Sequence, residues 1–431
     1  MDFARSAHPG VQAQLDRLAQ LSPPGDYLGL ERIASLLDLL GRPQDALAPV
    51  FHVAGTNGKG STVAFLRAAL EASGACVHVF TSPHLVRFNE RIRVAGQLIG
   101  DAQLAALLTE VLDASASIQP SFFEVATAAA LLAFARTPAD AVILEVGLGG
   151  RLDATNVVDR PLVTAIASLA LDHQQFLGRG LPGIAAEKAG IAKRGVPLVT
   201  QRYPPSVAQR IADSAAANGA QWLPRGETWD WKASRGRLHY RDRRGDLDLP
   251  LPRLAGRHQP ENAALAVAML RAQDQLAIPA DALSQAMMWT DWPARLQRLA
   301  PGPLAGNREV WLDGGHNPAA ARQIAAHVRR TFTDGTPLHL VFASLQSKDP
   351  RGMLAPFRGL VANVHAVSIP GHASFEPNEL VAIAADLGIA AAPHADVGKA
   401  LAAAPAGARV LIFGSLYLAG EVLAANGQEP G

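Results

Sequence analysis

Cysteine is nearly missing: Cys76 is the only one among 431 residues. An intramolecular disulfide and a zinc site of several cysteines are thereby excluded, which fits a reducing cytoplasm. Also missing is any run of about 18 uninterrupted apolar residues, so no membrane span is expected. The alanine-rich runs are broken by charges, glycine or proline. The stretch from Met1 to Gly10 carries Asp2, Arg5, His8 and Pro9 and lacks the apolar core of a secretion signal. Net charge barely leaves zero: 39 Lys plus Arg against 38 Asp plus Glu gives +1. That argues against a general nucleic-acid binder or a polybasic membrane binder, while leaving room for a local basic patch. What is abundant is apolar residues, 49%, against 18% charged, enough for buried cores. At roughly 150 residues per domain the length suggests two or three domains.

Helical spacing of Val11, Leu15 and Leu18, and again of Ile33, Leu36, Leu37 and Leu40, predicts helix over residues 11–40, broken at Ser22-Pro23-Pro24-Gly25. An alternation follows. Short apolar strands are expected at Val50–Ala54, Cys76–Phe80, Ala141–Val146, Leu162–Ser168 and Val196–Thr200. Helical segments lie between them, including Phe122–Arg136. Such a pattern indicates a mostly parallel sheet covered on both faces. Residues 222–254 break the rhythm with Trp222, Trp229, Trp231, Leu238, Tyr240, Leu247, Leu249 and Leu251 among Gly, Arg and Asp. They predict antiparallel hairpins, with the basic run Arg235–Arg244 as a solvated hairpin rather than a phosphate site. After Pro301-Gly302-Pro303 the alternation restarts, with strands expected at Val310–Asp313, His339–Ala343, Val364–Ser368 and Val410–Phe413. We therefore expect an α/β protein of two domains. Residues 1–297 form a P-loop-type, mostly parallel sheet domain with a small antiparallel appendage, and residues 298–431 a Rossmann-like α/β domain.

The strongest local motif is Gly55-Thr56-Asn57-Gly58-Lys59-Gly60-Ser61-Thr62, between a predicted strand and helix. Its glycines let backbone N–H groups turn inward, the helix start adds positive charge, Lys59 suits β/γ phosphates, and Ser61 or Thr62 offers a hydroxyl to a metal. Its spacing departs from the commonest phosphate loop, with only Thr56 and Asn57 between the first two glycines. Three further motifs follow strand ends, where α/β sheets place ligands: Thr81-Ser82-Pro83-His84-Leu85, Glu145 with Gly147, Gly149 and Gly150, and Leu171-Asp172-His173. Glu145 interrupts an apolar strand, where a carboxylate is costly unless paired or bound to metal. Ser82, Glu145 and His173 together make a magnesium set if phosphate and water complete it, with the imidazole as its unusual member. Lys188, in Glu187-Lys188-Ala189-Gly190, sits in an apolar helix beginning near Pro182.

In this order, these motifs resemble the bacterial folylpolyglutamate synthase/dihydrofolate synthase family, a branch of the Mur ligase superfamily. The resemblance runs from about Leu28 to the C-terminus. It implies that Thr56, Asn57, Gly58, Lys59, Gly60 and Ser61 bind ATP, and that Ser82, Glu145 and His173 bind magnesium. Lys188 matches a lysine that is carbamylated and helps organise a second magnesium. Asn262, Arg295 and Asp313 match nucleotide-contacting residues, with Ala294 and Gly315 standing where the family usually has glycine and another small apolar residue. His316 is implied at glutamate or phosphate. Ser415 is implied at glutamate, where a helix N-cap explains it equally well. Three segments match walls of a dihydropteroate pocket: Leu28-Gly29-Leu30, Ser121-Phe122-Phe123-Glu124 and Leu152-Asp153-Ala154. A Phe there would stack on the pterin, or simply pack in the core, and a carboxylate would pair with the amino-pyrimidine edge.

The activity implied is ATP-dependent ligation of L-glutamate to dihydropteroate and to the terminal glutamate of reduced folates, through an acyl phosphate. A hinge is expected at Leu296–Pro303. No apolar dimer face is legible, so a monomer is expected. Two rivals stand against this: a Mur-type ligase acting on a UDP-linked peptide, and a non-enzymatic nucleotide-binding regulator.

Overall fold

The structure, a computed structural model, describes residues 4–21, 28–178 and 180–431. The expected break at Ser22–Gly25 lies outside them. The chain forms two compact units, one of residues up to Arg253 together with Gln259–Asp291, the other of Leu254–His258 with Trp292–Gly431. The division falls earlier than the expected 297/298. The reason is local: Leu296 is buried in the second unit's core, and its N–H donates to Asp313 Oδ2 at 2.9 Å.

The first unit holds strands β1 (Val50–Ala54), β2 (Val77–Phe80), β3 (Ile92–Val94), β4 (Gln97–Leu98), β5 (Ala141–Glu145), β6 (Val163–Ile166), β7 (Pro197–Thr200) and β8 (Gln221–Pro224). They form one sheet in the order β4-β3-β2-β5-β1-β6-β7-β8. All neighbours are parallel from β2 to β8, while β3 and β4 add an antiparallel edge. Strands β1, β2, β5 and β6 are buried at every position, as central parallel strands covered on both faces must be. One face packs on helices Pro9–Leu21, Glu31–Leu39, Asp101–Ala114 and Phe122–Ala135. The last of these is apolar all round and buried along almost its whole length. Val142 and Leu144 enter that cluster, so Glu145, next in the alternation, points the other way.

Two features of this sheet were hidden in the sequence. The β3–β4 hairpin turns through Ala95 and Gly96 at φ 47° and 80°; an alanine in the left-handed region is a weak turn signal. Trp222, expected among the hairpins, lies in β8, which extends the parallel sheet; its indole N–H donates to Thr200 Oγ1. The appendage itself is a three-stranded antiparallel sheet of β9 (Trp229–Ser234), β10 (Arg237–Asp242) and β11 (Gly245–Pro250). Its basic run is paired with acids: Arg237 with Asp248 and Arg244 with Asp274.

The second unit carries β12 (Gln297–Arg298), β13 (Val310–Asp313), β14 (Leu338–Phe342), β15 (Asn363–Ala366), β16 (Ala391–Pro393) and β17 (Arg409–Phe413). The order is β12-β13-β17-β14-β15-β16, parallel except for β12 at the edge. Because β12 pairs with β13, the Leu296–Pro303 segment begins as part of this sheet, which corrects its reading as a hinge. No helix among the described residues is long and apolar enough to cross a membrane.

Candidate active site

Four loops meet the C-terminal edge of the first sheet, after β1, β2, β5 and β6. The β1 loop is shaped by Gly55 (φ 151°) and Gly58 (φ 83°). A Cβ on Gly55 would lie 2.9 Å from Ala167 Cβ, and one on Gly58 would strike Asn262 Oδ1. Asn262, 3% exposed, thus sits against the loop. Helix Lys59–Ala72 starts immediately afterwards, leaving the N–H groups of its first turn without helical acceptors. The expectation that the whole loop turns N–H groups inward needs correction. Those of Thr56 and Asn57 donate to the Ser168 carbonyl at 2.8 and 3.1 Å, so anion-binding N–H groups begin at Gly58. Thr56 Oγ1 also points back, donating to Ala170 O. Gly60 and Ser61 are buried in the first turn, while the Thr62 hydroxyl donates to Gly58 O.

Lys59 Nζ lies 3.9 Å from Glu145 Oε1, and Glu145 Oε2 accepts the Ser82 N–H at 3.3 Å. A cation, a carboxylate and a serine backbone N–H, from the segments that follow β1, β5 and β2, are therefore brought together. Behind the loop Lys188, 5% exposed, donates from Nζ to Gly55 O at 3.0 Å. Burial, and then the nearby Lys59 charge, lower its amine from 10.5 to about 7, against the pull of Asp153 and Asp172. The lysine fits closely: a Cβ on Gly150 would lie 2.8 Å from Lys188 O and 2.9 Å from Glu187 O. His173 adopts φ 50° with an exposed side chain. Its neighbour Asp172 is the buried one and acts electrostatically on Lys188. Sequence reasoning passed over Asp172 because it lies in the loop after β6, outside the apolar strand context that marked Glu145.

Among the described residues no three His, Cys, Asp or Glu side chains form a ready metal cage. The carboxylate of Glu145 and the hydroxyl of Ser82 are nevertheless hard oxygen donors, which suit magnesium when phosphate and water supply the rest. The glycine cradle, which side chains at Gly55 or Gly58 would fill, fits a phosphate chain.

The three expected walls also gather on this unit. Leu28, Gly29 and Leu30 are half-buried, as are Ser121, Phe122, Phe123 and Leu152, with Ala154 buried. Phe123 packs against Phe80 and closely over Gly147. Phe122 meets Phe88 edge-on and carries the Arg91 guanidinium 5.2 Å from its centroid. Arg91 is fully buried and donates to His84 Nδ1 at 2.8 Å. Both carboxylates expected to meet a ligand are engaged internally. Glu124 pairs with Arg32 and accepts the Ser121 N–H at 2.6 Å, closing a capping box with the Ser121 hydroxyl. Asp153 accepts N–H groups from Leu148 at 2.8 Å and Thr155 at 3.0 Å.

In the second unit Asp313, 4% exposed, holds the N–H groups of Leu296 and Gly315 at 2.9 and 2.7 Å. Burial pushes its carboxyl up, opposed by Arg295 and these hydrogen bonds. Arg295 donates to Ala294 O, and Ala294, at φ 55°, accepts the Gly314 N–H. Gly315 is confined: a Cβ there would lie 2.9 Å from both Ala320 Cβ and Asp313 Oδ1. His316 Nδ1 lies 3.3 Å from Gly314 O. Ser415, 3% exposed, caps helix Leu416–Ala425 by accepting the Tyr417 N–H at 3.1 Å, which is the plain helix-cap role.

Known proteins resemble this chain along most of its length. A family model described as dihydrofolate synthetase, C-terminal domain, matches residues 304–425. A dihydrofolate synthase/folylpolyglutamate synthase of Bacillus subtilis is 37% identical over 364 residues, covering 79% of this chain and 81% of its own. The structure of E. coli FolC in complex with DHPP and ADP is 34% identical, with a TM-score of 0.87 and 97% of each chain covered. A bifunctional folylpolyglutamate synthase/dihydrofolate synthase with Mn, AMPPNP and L-glutamate bound is 33% identical, with a TM-score of 0.85 over 98% of this chain and 99% of that one. The chain belongs to the dihydrofolate synthase/folylpolyglutamate synthase family of ATP-dependent ligases.

Proposed function

We propose that this protein joins L-glutamate to dihydropteroate, and to the terminal glutamate of reduced folates, at the expense of ATP. The observation that carries the proposal is the convergence of Lys59 and Glu145, 3.9 Å apart at the phosphate loop, with Lys188 buried behind it. A carboxylate does not condense with an amine at neutral pH. Its oxygen attacks the γ-phosphorus of ATP, ADP leaves, and an acyl phosphate forms. The glutamate amine then attacks the acyl carbon, phosphate departs, and the nitrogen loses a proton. The obstacle is the approach of one anion to another.

Lys59 and the N–H groups from Gly58 onward lower that barrier by placing positive charge on the phosphates. Glu145 and Ser82, with His173, would hold a magnesium ion, which when bound supplies further charge neutralisation. Lys188, its amine lowered to about 7, attacks carbon dioxide and loses a proton, and the resulting carbamate would help organise a second magnesium. Asn262, Arg295 and Asp313 contact the nucleotide, and His316 the glutamate or phosphate. Leu28, Gly29, Leu30, Phe122, Phe123, Leu152 and Ala154 present an apolar wall to the flat pterin, and the chain works as a monomer.

The test is phosphate release from ATP with magnesium and L-glutamate, comparing dihydropteroate with tetrahydrofolate, with product mass read alongside. Addition of one glutamyl residue to each acceptor is the expected result. Turnover of one acceptor alone would assign the chain to that half of the chemistry, and turnover of neither would overturn the proposal.

A further inference from the structure

His52 is the middle residue of β1, fully buried between Phe51 and Val53. An imidazole under a phosphate-loop strand needs a reason, and its contacts supply one. Its Nε2 lies 2.8 Å from Thr155 Oγ1. That hydroxyl lies 2.5 Å from Asp153 Oδ1. Asp153 in turn accepts the N–H groups of Thr155, of Leu148 at 2.8 Å, and of Gly147. Burial raises the Asp153 carboxyl, opposed by the Thr155 hydroxyl and by the N–H groups of Leu148, Thr155 and Gly147; with all of these donors converging on its oxygens, the carboxyl serves as the acceptor of the cluster. The single hydroxyl proton of Thr155 therefore goes to Asp153, and its oxygen must accept from His52. Burial keeps the ring neutral, and of the two neutral tautomers only Nε2–H can donate there. Consistently, His52 Nδ1 has no hydrogen-bond partner among the described residues.

The far end of this chain is the turn that follows Glu145. Gly147 lies so close to Phe123 that a Cβ would be 2.5 Å from the ring's Cζ. We infer that His52 is a positioning residue: its Nε2–H, relayed through Thr155 and Asp153, fixes the Gly147–Leu148 turn against Phe123 and so sets the wall that receives the acceptor. The last clause rests on the pterin-wall reading above; the relay itself does not.

The variants are His52→Gln, which returns an N–H near the Nε2 position, His52→Leu, which removes it, and Thr155→Val. Hydrogen–deuterium exchange of the peptide covering residues 146–156 reads the turn without any substrate. Exchange about tenfold faster is expected in His52→Leu and Thr155→Val, with recovery in His52→Gln. Nitrogen-15 spectra of histidine-labelled protein should show one neutral Nε2–H ring, absent from His52→Leu, that does not titrate between pH 5 and 8. In turnover, the KM for dihydropteroate should rise about tenfold in His52→Leu, that for ATP should change less than about twofold, and His52→Gln should restore the difference. An Nδ1–H tautomer, or equal exchange in the Gln and Leu variants, would overturn the relay. A parallel rise of both KM values would overturn its link to the acceptor wall. If the wild type does not turn over dihydropteroate, the functional proposal falls, and exchange and tautomer still decide the relay.

Discussion

Replacing Lys188 by methionine should stabilise the protein at neutral pH while removing its activity. The magnitude follows from burial. The lysine's amine falls from 10.5 to about 7 in the folded chain, and each pH unit is worth about 1.4 kcal/mol. In the unfolded chain the amine stays protonated up to its ordinary value. Folding at pH 7 therefore loses ~4–5 kcal/mol relative to a lysine left in water. Methionine fills a similar apolar volume without this cost. Against the gain stands the Gly55 carbonyl, which loses its Nζ partner at 3.0 Å, for about 1–3 kcal/mol. A net stabilisation of roughly 2–3 kcal/mol at pH 7 remains by the same terms.

The sign fixes the pH dependence. A lowered lysine pKa gives a stability contribution that is full above the unfolded value and is lost as pH falls from 10.5 toward 7, then stays level. The advantage of Lys188→Met should accordingly shrink by ~3 kcal/mol between pH 7 and pH 9.5. Urea denaturation at both pH values, in bicarbonate-free buffer, measures this directly. Glutamate-dependent phosphate release should fall by at least about 100-fold in the same variant. A variant no more stable than wild type at pH 7, or an advantage unchanged at pH 9.5, would refute the reasoning.

Gly150→Ala drives a Cβ to within 3 Å of two backbone carbonyls; a loss of about 1–3 kcal/mol in thermal or urea denaturation is expected, with slower turnover as Lys188 is displaced, and an unchanged melting temperature would count against it. Asp313→Asn turns one of two N–H acceptors into a donor facing an N–H; about 2 kcal/mol of stability should be lost and the KM for ATP should rise, whereas an unaltered KM would separate Asp313 from the nucleotide. Burial holds His52 down at about 3, so its stability contribution is full above about 6.5 and is lost as pH falls toward 3. At pH 5 this amounts to about 2 kcal/mol, and the loss between pH 7.5 and 5 should be smaller in His52→Gln; identical urea midpoint shifts in the two proteins would show that His52 does not titrate this way.

Much of this was legible because it is periodic or because it is glycine. The parallel strands β1, β5, β6 and β7 read as short, mostly apolar runs, since a strand buried on both faces takes a polar side chain only where a partner satisfies it. The phosphate loop and the turn after Glu145 read as glycines, since only glycine tolerates neighbours as close as Asn262 and Phe123. The order of the motifs was enough to identify the ligase family and to nominate Lys59, Glu145 and Lys188. Tertiary structure decided which atoms of those residues are free to act. It turned the N–H groups of Thr56 and Asn57 onto Ser168, engaged Glu124 with Arg32 and Ser121, gave Asp153 to its own loop, and made Ser415 a cap. It set Asp153 and Asp172 close enough to Lys188 to act on its amine. It also revealed His52, whose partner Thr155 is more than a hundred residues away in the chain. Burial and hydrogen-bond pairing belong to distances between segments, and a side chain's chemistry depends on both; residue type alone carries neither.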